Sequence, residues 1–287
     1  MSTLDRRLHA FRPDLADVAL DGRVEAARFV APSPAVVTRG VADLRRAPAS
    51  DAPLDSQLLF GEAVACFEQA DGWAWVQSRV DGYVGYVELA ALSSDLFEPD
   101  HRVAVLASHL YPKPDLKVPP RDRLSFGARL RVLGERNGFV EVAGGGWVYA
   151  RHLTPLDRHE PDYVATALRF LGLPYLWGGR SSLGLDCSAL VQLALDHAGL
   201  PCPRDSDQQA AAVGSVVERD GGLPALERGD LAYMPGHVVI GLGGGQVVNA
   251  NAHAMLVSVE PLAEVCARVA EESGRALEDS IDAVRRL

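Results

Sequence analysis

The sequence predicts an α+β chain: a β-rich first half, then a second half that begins with helices and goes on to strands. Three observations carry this reading. The 27 Gly and 18 Pro concentrate in the first half and around 172–184 and 241–245, where they punctuate short strands. A grammar of short apolar runs occurs twice before residue 156. From Asp162 onward the apolar spacing changes to the three-to-four-residue period of helices.

Residues 1–34 read as an N-terminal arm, open between an added strand and a disordered lead. Residues 35–96 read as a small β-barrel, from Val36-Val37, Leu58-Leu59-Phe60, Val64–Phe67, Trp73–Val76 and Tyr83–Val87. Asp71-Gly72 and Asp81-Gly82 fall between the later runs, where tight hairpins need residues that tolerate positive φ. Residues 100–156 repeat the pattern: Phe60-Gly61 aligns with Phe126-Gly127, Asp71-Gly72-Trp73 with Asn137-Gly138-Phe139, and Gly85-Tyr86-Val87 with Gly146-Trp147-Val148. The competing reading is one larger β-domain with chance similarity.

Residues 160–287 read as a third region. Val164, Ala167, Leu168 and Leu171 share a helical face, with Asp162 placed to cap its start and Gly172 its end. A second helix is predicted from Ser188 to about Ala198, and a third, short one opens at Asp205 or Ser206 and runs through Ala212. Asp230–Met234, His237–Leu242 and Gln246–Ala250 read as strands, the last two joined across Gly243-Gly244-Gly245. The tail Glu271–Leu287 is expected to be helical.

A net charge of −10 and a pI near 5.3 argue against nucleic acid or an anionic membrane surface as partner. No apolar run approaches the roughly 18–20 residues that cross a bilayer, so membrane insertion is not expected. The opening Met1–Asp14 has early positive charge with no apolar stretch after it, which predicts a cytoplasmic location. Cys66, Cys187, Cys202 and Cys266 are far apart with no metal-type spacing, so neither a zinc site nor a disulfide framework is indicated.

Cys187 falls at the first turn of a predicted helix, where free N–H groups and the helix dipole favour thiolate and lower the pKa. A lone Cys there is otherwise a packing residue. His237 opens a strand, and Asn249 on the returning strand lies within reach to accept the imidazole Nδ1–H, leaving Nε2 for the sulfur. That is the nucleophile, base and orienter logic of cysteine hydrolases. Spacing alone equally allows a strand-edge histidine and a turn asparagine. Cys66 and Cys202 have no matching base and read as structural, and Cys266, in the amphipathic helix-like run Leu262–Ala270, reads as core.

Five blocks add specificity: Pro174–Gly179, Leu185–Gln192, Arg204–Gln209, Gly229–Leu231 and Gly236–Ile240. In that order and spacing, over about residues 160–260, they resemble the NlpC-type cell-wall peptidases, which are papain-like cysteine enzymes. The two N-terminal modules resemble paired bacterial SH3-like domains. The resemblance implies a papain-like NlpC-type catalytic domain preceded by two small SH3-like β-barrels. It also implies Cys187 as nucleophile and His237 as base, with Tyr175 assisting the oxyanion hole alongside the Cys187 N–H. The family commonly carries His at the third position, where this chain has Asn249; His253 is the fallback orienter. Asp186, Ser188, Asp205 and Ser206 resemble substrate-binding positions; Asp186 can also cap the Cys187 helix, and Asp205 or Ser206 the next one.

Relatives with tandem SH3-like domains are intracellular enzymes that cut the γ-D-glutamyl–diamino acid bond of released muropeptides bearing a free N-terminal L-Ala, in cell-wall recycling. By that resemblance Glu62 and one of Tyr83 or Tyr86 would hold the terminal ammonium, and no metal or nucleotide cofactor is needed. Two other readings stay open: amidase or acyl-transfer chemistry on the same Cys-His core, and a non-catalytic cell-wall peptide-binding scaffold with an idle thiol.

Overall fold

The computed structural model describes residues 4–218 and 222–287, and the chain divides into two compact units, one ending at Arg158 and the other His159–Leu287. Residues 1–3 of the arm and 219–221 of the third region lie outside the described residues.

In the first unit a seven-stranded sheet contains β1 (Ser33–Val37), β2 (Val41–Arg45), β3 (Leu54–Leu59), β4 (Ala63–Ala70), β5 (Trp73–Ser78), β6 (Val84–Glu88) and β7 (Leu92–Ser93). Its order is β3-β2-β6-β5-β4-β1-β7. Alternation turns Val37, Leu44, Leu58, Val64, Val76 and Val87 into one core, each such side chain contributing about 1.5–3 kcal/mol on burial. The β4–β5 hairpin closes through Asp71 (φ 50°) and Gly72 (φ 82°), the paired positive φ angles of a two-residue turn whose twist matches its strands.

The arm is packed onto this sheet. Arg7 O accepts from the Val84 N–H at 2.8 Å, and Leu8 O accepts from Gln77 Nε2 at 2.8 Å. Leu15 is buried, and the Arg12 guanidinium lies 4.4 Å from the Trp75 ring centroid.

From 101 to 155 the chain forms three small antiparallel sheets. They are a hairpin of Ala107–Leu110 with Asp122–Ser125, a meander of Val132–Arg136, Phe139–Val142 and Trp147–Tyr149, and His101–Val103 set between Arg129–Leu130 and Leu153–Pro155. Asn137 (φ 54°) and Gly138 (φ 75°) repeat the Asp71-Gly72 turn. The Arg129 N–H donates to Phe60 O at 2.8 Å, and a Cβ on Gly61 would sit 1.9 Å from Arg129 O. Only glycine lets these two segments approach so closely.

The second unit opens with α1 (Tyr163–Leu168), whose N-cap Asp162 accepts from the Ala165 N–H at 3.0 Å. Next come α2 (Cys187–His197) and α3 (Ser206–Ala212), the latter begun by a capping box between Asp205 and Gln208. The strands are β8 (Ser215–Val216), β9 (Leu231–Met234), β10 (His237–Gly243), β11 (Gln246–Asn251) and β12 (Leu256–Pro261), followed by α4 (Leu262–Ser273) and β13 (Ala283–Arg286). Among the described residues they form a six-stranded sheet, β8-β13-β9-β10-β11-β12.

The tail corrects a sequence expectation. The helix stops at Ser273 with Gly274 in the left-handed region (φ 67°), and Ala283–Arg286 pairs antiparallel with β9. Val284 is buried in the core of Ala232, Met234, Val239, Val247 and Val265, and this long-range burial overrides the local helical pattern. No helix among the described residues is long and apolar enough to cross a membrane.

Candidate active site

Asp186 builds the start of α2. Its extended backbone makes it the N-cap, and Oδ1 accepts from the Ala189 N–H at 2.9 Å and from Ser188 Oγ at 3.1 Å. Oδ2 accepts from the Gly178 N–H at 3.0 Å. The buried Arg204 closes the cluster, donating to the two Asp186 oxygens at 2.9 and 2.7 Å, to Ser188 Oγ at 2.9 Å and to Gly179 O at 3.3 Å. These bonds saturate Asp186, so the carboxylate ties the 174–186 loop to the helix start.

Cys187 is the next residue, with its side chain buried at 7% exposure. Burial pushes its thiol up to about 12, with the Asp186 carboxylate acting the same way; the Val238 N–H, Arg204 and the Ser188 N–H pull it down. The sequence expectation of a lowered thiol pKa is therefore reversed. The helix start does favour thiolate, but removing the sulfur from water costs more.

α2 packs against β10, where His237 is the first residue. His237 Nε2 lies 3.2 Å from Asn249 Oδ1. The ring nitrogen on Asn249 is thus Nε2, not the Nδ1 expected from the sequence, because His237 stands at the strand end and reaches Asn249 with the far side of its ring. Burial holds the imidazole below its ordinary value, opposed by Asn249 and the Glu260 carboxylate. Asn249 is buried, whereas His253 is exposed on the turn beyond β11.

Tyr175 is partly buried, and the Cys187 thiol and Asp186 both act on its hydroxyl. Burial first, then these two groups, raise its pKa, so the phenol stays a proton donor at working pH. Trp177 is largely exposed. Asp205 and Ser206 lie partly buried at the start of α3.

The first-unit candidates are Glu62, Tyr83 and Tyr86. Glu62 is 1% exposed, and its Oε2 accepts from the Leu59 N–H at 2.9 Å. Tyr83 belongs to the apolar core. Glu62 and Tyr83 are thus both packed into the first unit. The Tyr86 hydroxyl accepts from Arg12 Nη1 at 2.8 Å.

Sequence reasoning assigned no role to Arg204, Glu260, Asn251 or Arg268. Asn249 Nδ2 donates to Glu260 Oε1 at 2.9 Å, Asn251 Nδ2 donates to the same oxygen at 3.0 Å, and Arg268 pairs with Oε2. The signal in the sequence was an alternation: Asn249 and Asn251 on one strand, Ser258 and Glu260 on the next. Among the described residues no three His, Cys, Asp or Glu side chains gather to hold a metal ion.

Comparison with known proteins places this site in a family context. Residues 172–269 match the model of the NlpC/P60 family, and residues 44–92 match that of the bacterial dipeptidyl-peptidase Sh3 domain. The gamma-D-glutamyl-L-lysine dipeptidyl-peptidase of Bacillus subtilis (strain 168) is 30% identical over 246 residues, which cover 77% of this chain and 80% of that protein. Dipeptidyl-peptidase 6 of Lysinibacillus sphaericus is 26% identical over 253 residues, covering 80% and 92%. The crystal structure of an NlpC/P60 family protein from Bacillus cereus ATCC 10987 shares the fold, with a TM-score of 0.73 at 22% identity over 88% of this chain and 99% of that one.

Proposed function

The chain belongs to the NlpC/P60 family, and from that premise we propose that it hydrolyses the γ-D-glutamyl–diamino acid bond of free muropeptides bearing an N-terminal L-Ala, in the cytoplasmic recycling of cell-wall peptides. That it is a hydrolase of the cysteine-peptidase type acting on peptidoglycan peptides follows from the family and from its dipeptidyl-peptidase relatives. The relatives' names, which specify the γ-D-glutamyl-L-lysine bond, support the bond chosen.

The observation that carries the mechanism is the packing of α2, which begins with Cys187, against β10, which begins with His237, whose Nε2 is held on Asn249. With Nε2 occupied, Nδ1 is the nitrogen that takes the thiol proton as sulfur attacks the γ-glutamyl carbonyl. The Cys187 N–H and the Tyr175 hydroxyl stabilise the oxyanion. The imidazolium then protonates the leaving amine of the diamino acid, giving a thioester. Finally His237 deprotonates a water that hydrolyses the thioester and frees the thiol. At rest, thiol and imidazole are both neutral, since burial raises one pKa and lowers the other.

The test is product identification by mass spectrometry with purified protein. L-Ala-γ-D-Glu-diaminopimelate and L-Ala-γ-D-Glu-L-Lys are expected to yield L-Ala-D-Glu and the free diamino acid. The same peptides capped with N-acetylmuramic acid are expected to resist. Equal cleavage of capped and free peptides, or release of muramic acid from L-Ala, would overturn the proposed specificity. Cell fractionation with an antibody checks the location, and recovery outside the cytoplasm would overturn that part.

A further inference from the structure

We infer that Glu260 is a positioning residue for this site: its carboxylate dictates which end of the Asn249 side chain faces His237. The inference rests on the Cys187–His237 reading above. An asparagine amide has two ends of nearly the same size but opposite hydrogen-bonding character, and only the oxygen can accept from a ring N–H. A neutral imidazole whose Nε2 carries hydrogen has its lone pair on Nδ1, the arrangement a base for Cys187 requires. A flipped amide would present NH2 to Nε2 and select the opposite tautomer, with the lone pair turned away from the sulfur.

Glu260 removes that ambiguity. An ionised carboxylate is acceptor-only, so the end of Asn249 that bonds it must be the NH2 group. Nδ2 sits 2.9 Å from Glu260 Oε1, and Oδ1 is left 3.2 Å from His237 Nε2. Strand register produces this geometry. Asn249 pairs with Ser258 and Val247 with Glu260, so the alternating side chains of Asn249, Asn251 and Glu260 share one face.

The carboxylate is itself held from two other sides. Asn251 Nδ2 donates to Oε1 at 3.0 Å while Asn251 Oδ1 accepts from the Ala254 N–H at 2.7 Å, and Arg268 of α4 pairs with Oε2. The charged groups acting on His237 are Glu260 and Glu272, which favour its protonated form, and Arg268, which disfavours it. A thiol and imidazole of normal composition would thus be useless here without the right tautomer, and the tautomer is set two side chains away.

The test uses the full chain and two variants. Glu260→Gln has the same shape but can offer either an oxygen or an NH2 to Asn249. It is expected to lower kcat about ten-fold or more with KM within about two-fold, and to slow Cys187 alkylation by iodoacetamide at pH 7 by a similar factor. Asn249→Asp combined with Glu260→Gln inverts the polarity of the pair: the amide now on β12 donates, and the carboxylate now on β11 accepts both from it and from the His237 ring. The double variant is expected to recover most of the lost kcat and alkylation rate, which a merely structural role for Glu260 would not produce. Nitrogen-15 NMR of wild-type His237 should show hydrogen on Nε2; hydrogen on Nδ1 would overturn the inference even if a variant failed to fold. Unchanged kcat and alkylation in Glu260→Gln would overturn it as well, leaving the function intact. Conversely, a wild type that cleaves no muropeptide but shows the tautomer and the alkylation pattern would overturn the substrate assignment alone.

Discussion

Arg204, wholly buried, places its two terminal nitrogens 2.9 and 2.7 Å from the two carboxylate oxygens of Asp186, the residue directly before Cys187. A forked guanidinium on a carboxylate is stronger and more directional than a point-charge pair. Here it also fixes Ser188 Oγ and Gly179 O, so one cation registers the loop carrying Tyr175 against the helix carrying Cys187. Arg204→Met would leave the Asp186 charge buried and uncompensated, a cost of about 3–5 kcal/mol. Native-state hydrogen exchange of the α2 amides reads it directly: protection should fall by that amount. Protection unchanged in the variant would mean that the pair does not hold the helix start.

Cys187→Ser keeps the helix start and its cap while replacing the sulfur with a far weaker nucleophile. With Cys187 as the proposed nucleophile, turnover should drop on the order of 10³-fold or more. Peptide affinity by calorimetry should stay within a few-fold, because the thiol contributes little contact area. Activity within ten-fold of wild type would exclude the thiol from the chemistry.

The pH dependence follows from the two shifts. Because burial holds His237 below the ordinary imidazole value near 6.5, its base form persists to lower pH than usual, against the smaller opposing pull of Asn249 and Glu260. The acid limb of kcat/KM should therefore lie below pH 6.5. Because burial pushes Cys187 up to about 12, thiolate forms only at high pH, and the alkylation rate should keep climbing through pH 9–10 without levelling. A plateau beginning near neutrality would show a preformed thiolate–imidazolium pair instead.

The elements that were legible in the sequence are those whose signals are local. Asp162 and Asp186 cap their helices because a short acceptor before an apolar repeat finds free N–H groups within three residues, and Gly243–Gly245 bends the β10–β11 hairpin. What escaped depends on register or burial. Glu260 meets Asn249 only through the pairing of β11 with β12, and the identity of the bonded ring nitrogen depends on where His237 stands on its strand. The Cys187 thiol departs from expectation because a helix start is visible in sequence, whereas the desolvation that outweighs it is tertiary. The burial of Glu62 is likewise tertiary, whereas Tyr83 lies in the core that its apolar run Tyr83–Val87 suggests.

The same distinction explains β13 and gives the last prediction. Arg286, near the end of the chain, donates Nε and Nη2 to the buried Asp230 at 2.7 and 2.8 Å, and no local pattern links residues so distant. Burial alone would raise the Asp230 pKa; the Arg286 bonds and the Glu227 N–H override it and hold the carboxyl below its ordinary value. A carboxyl with a lowered folded-state pKa binds its proton more readily when unfolded. Its stabilisation is therefore present above the unfolded value of about 3.9 and is lost as pH falls through the folded value. In Arg286→Ala the sign inverts: Asp230 keeps its burial without its cation, its pKa rises, and the variant should be destabilised most at neutral pH. Melting temperatures of wild type and variant should consequently converge as pH is lowered towards 4. A constant gap between the two curves from pH 7 to pH 4 would show that Arg286 stabilises β13 by packing alone.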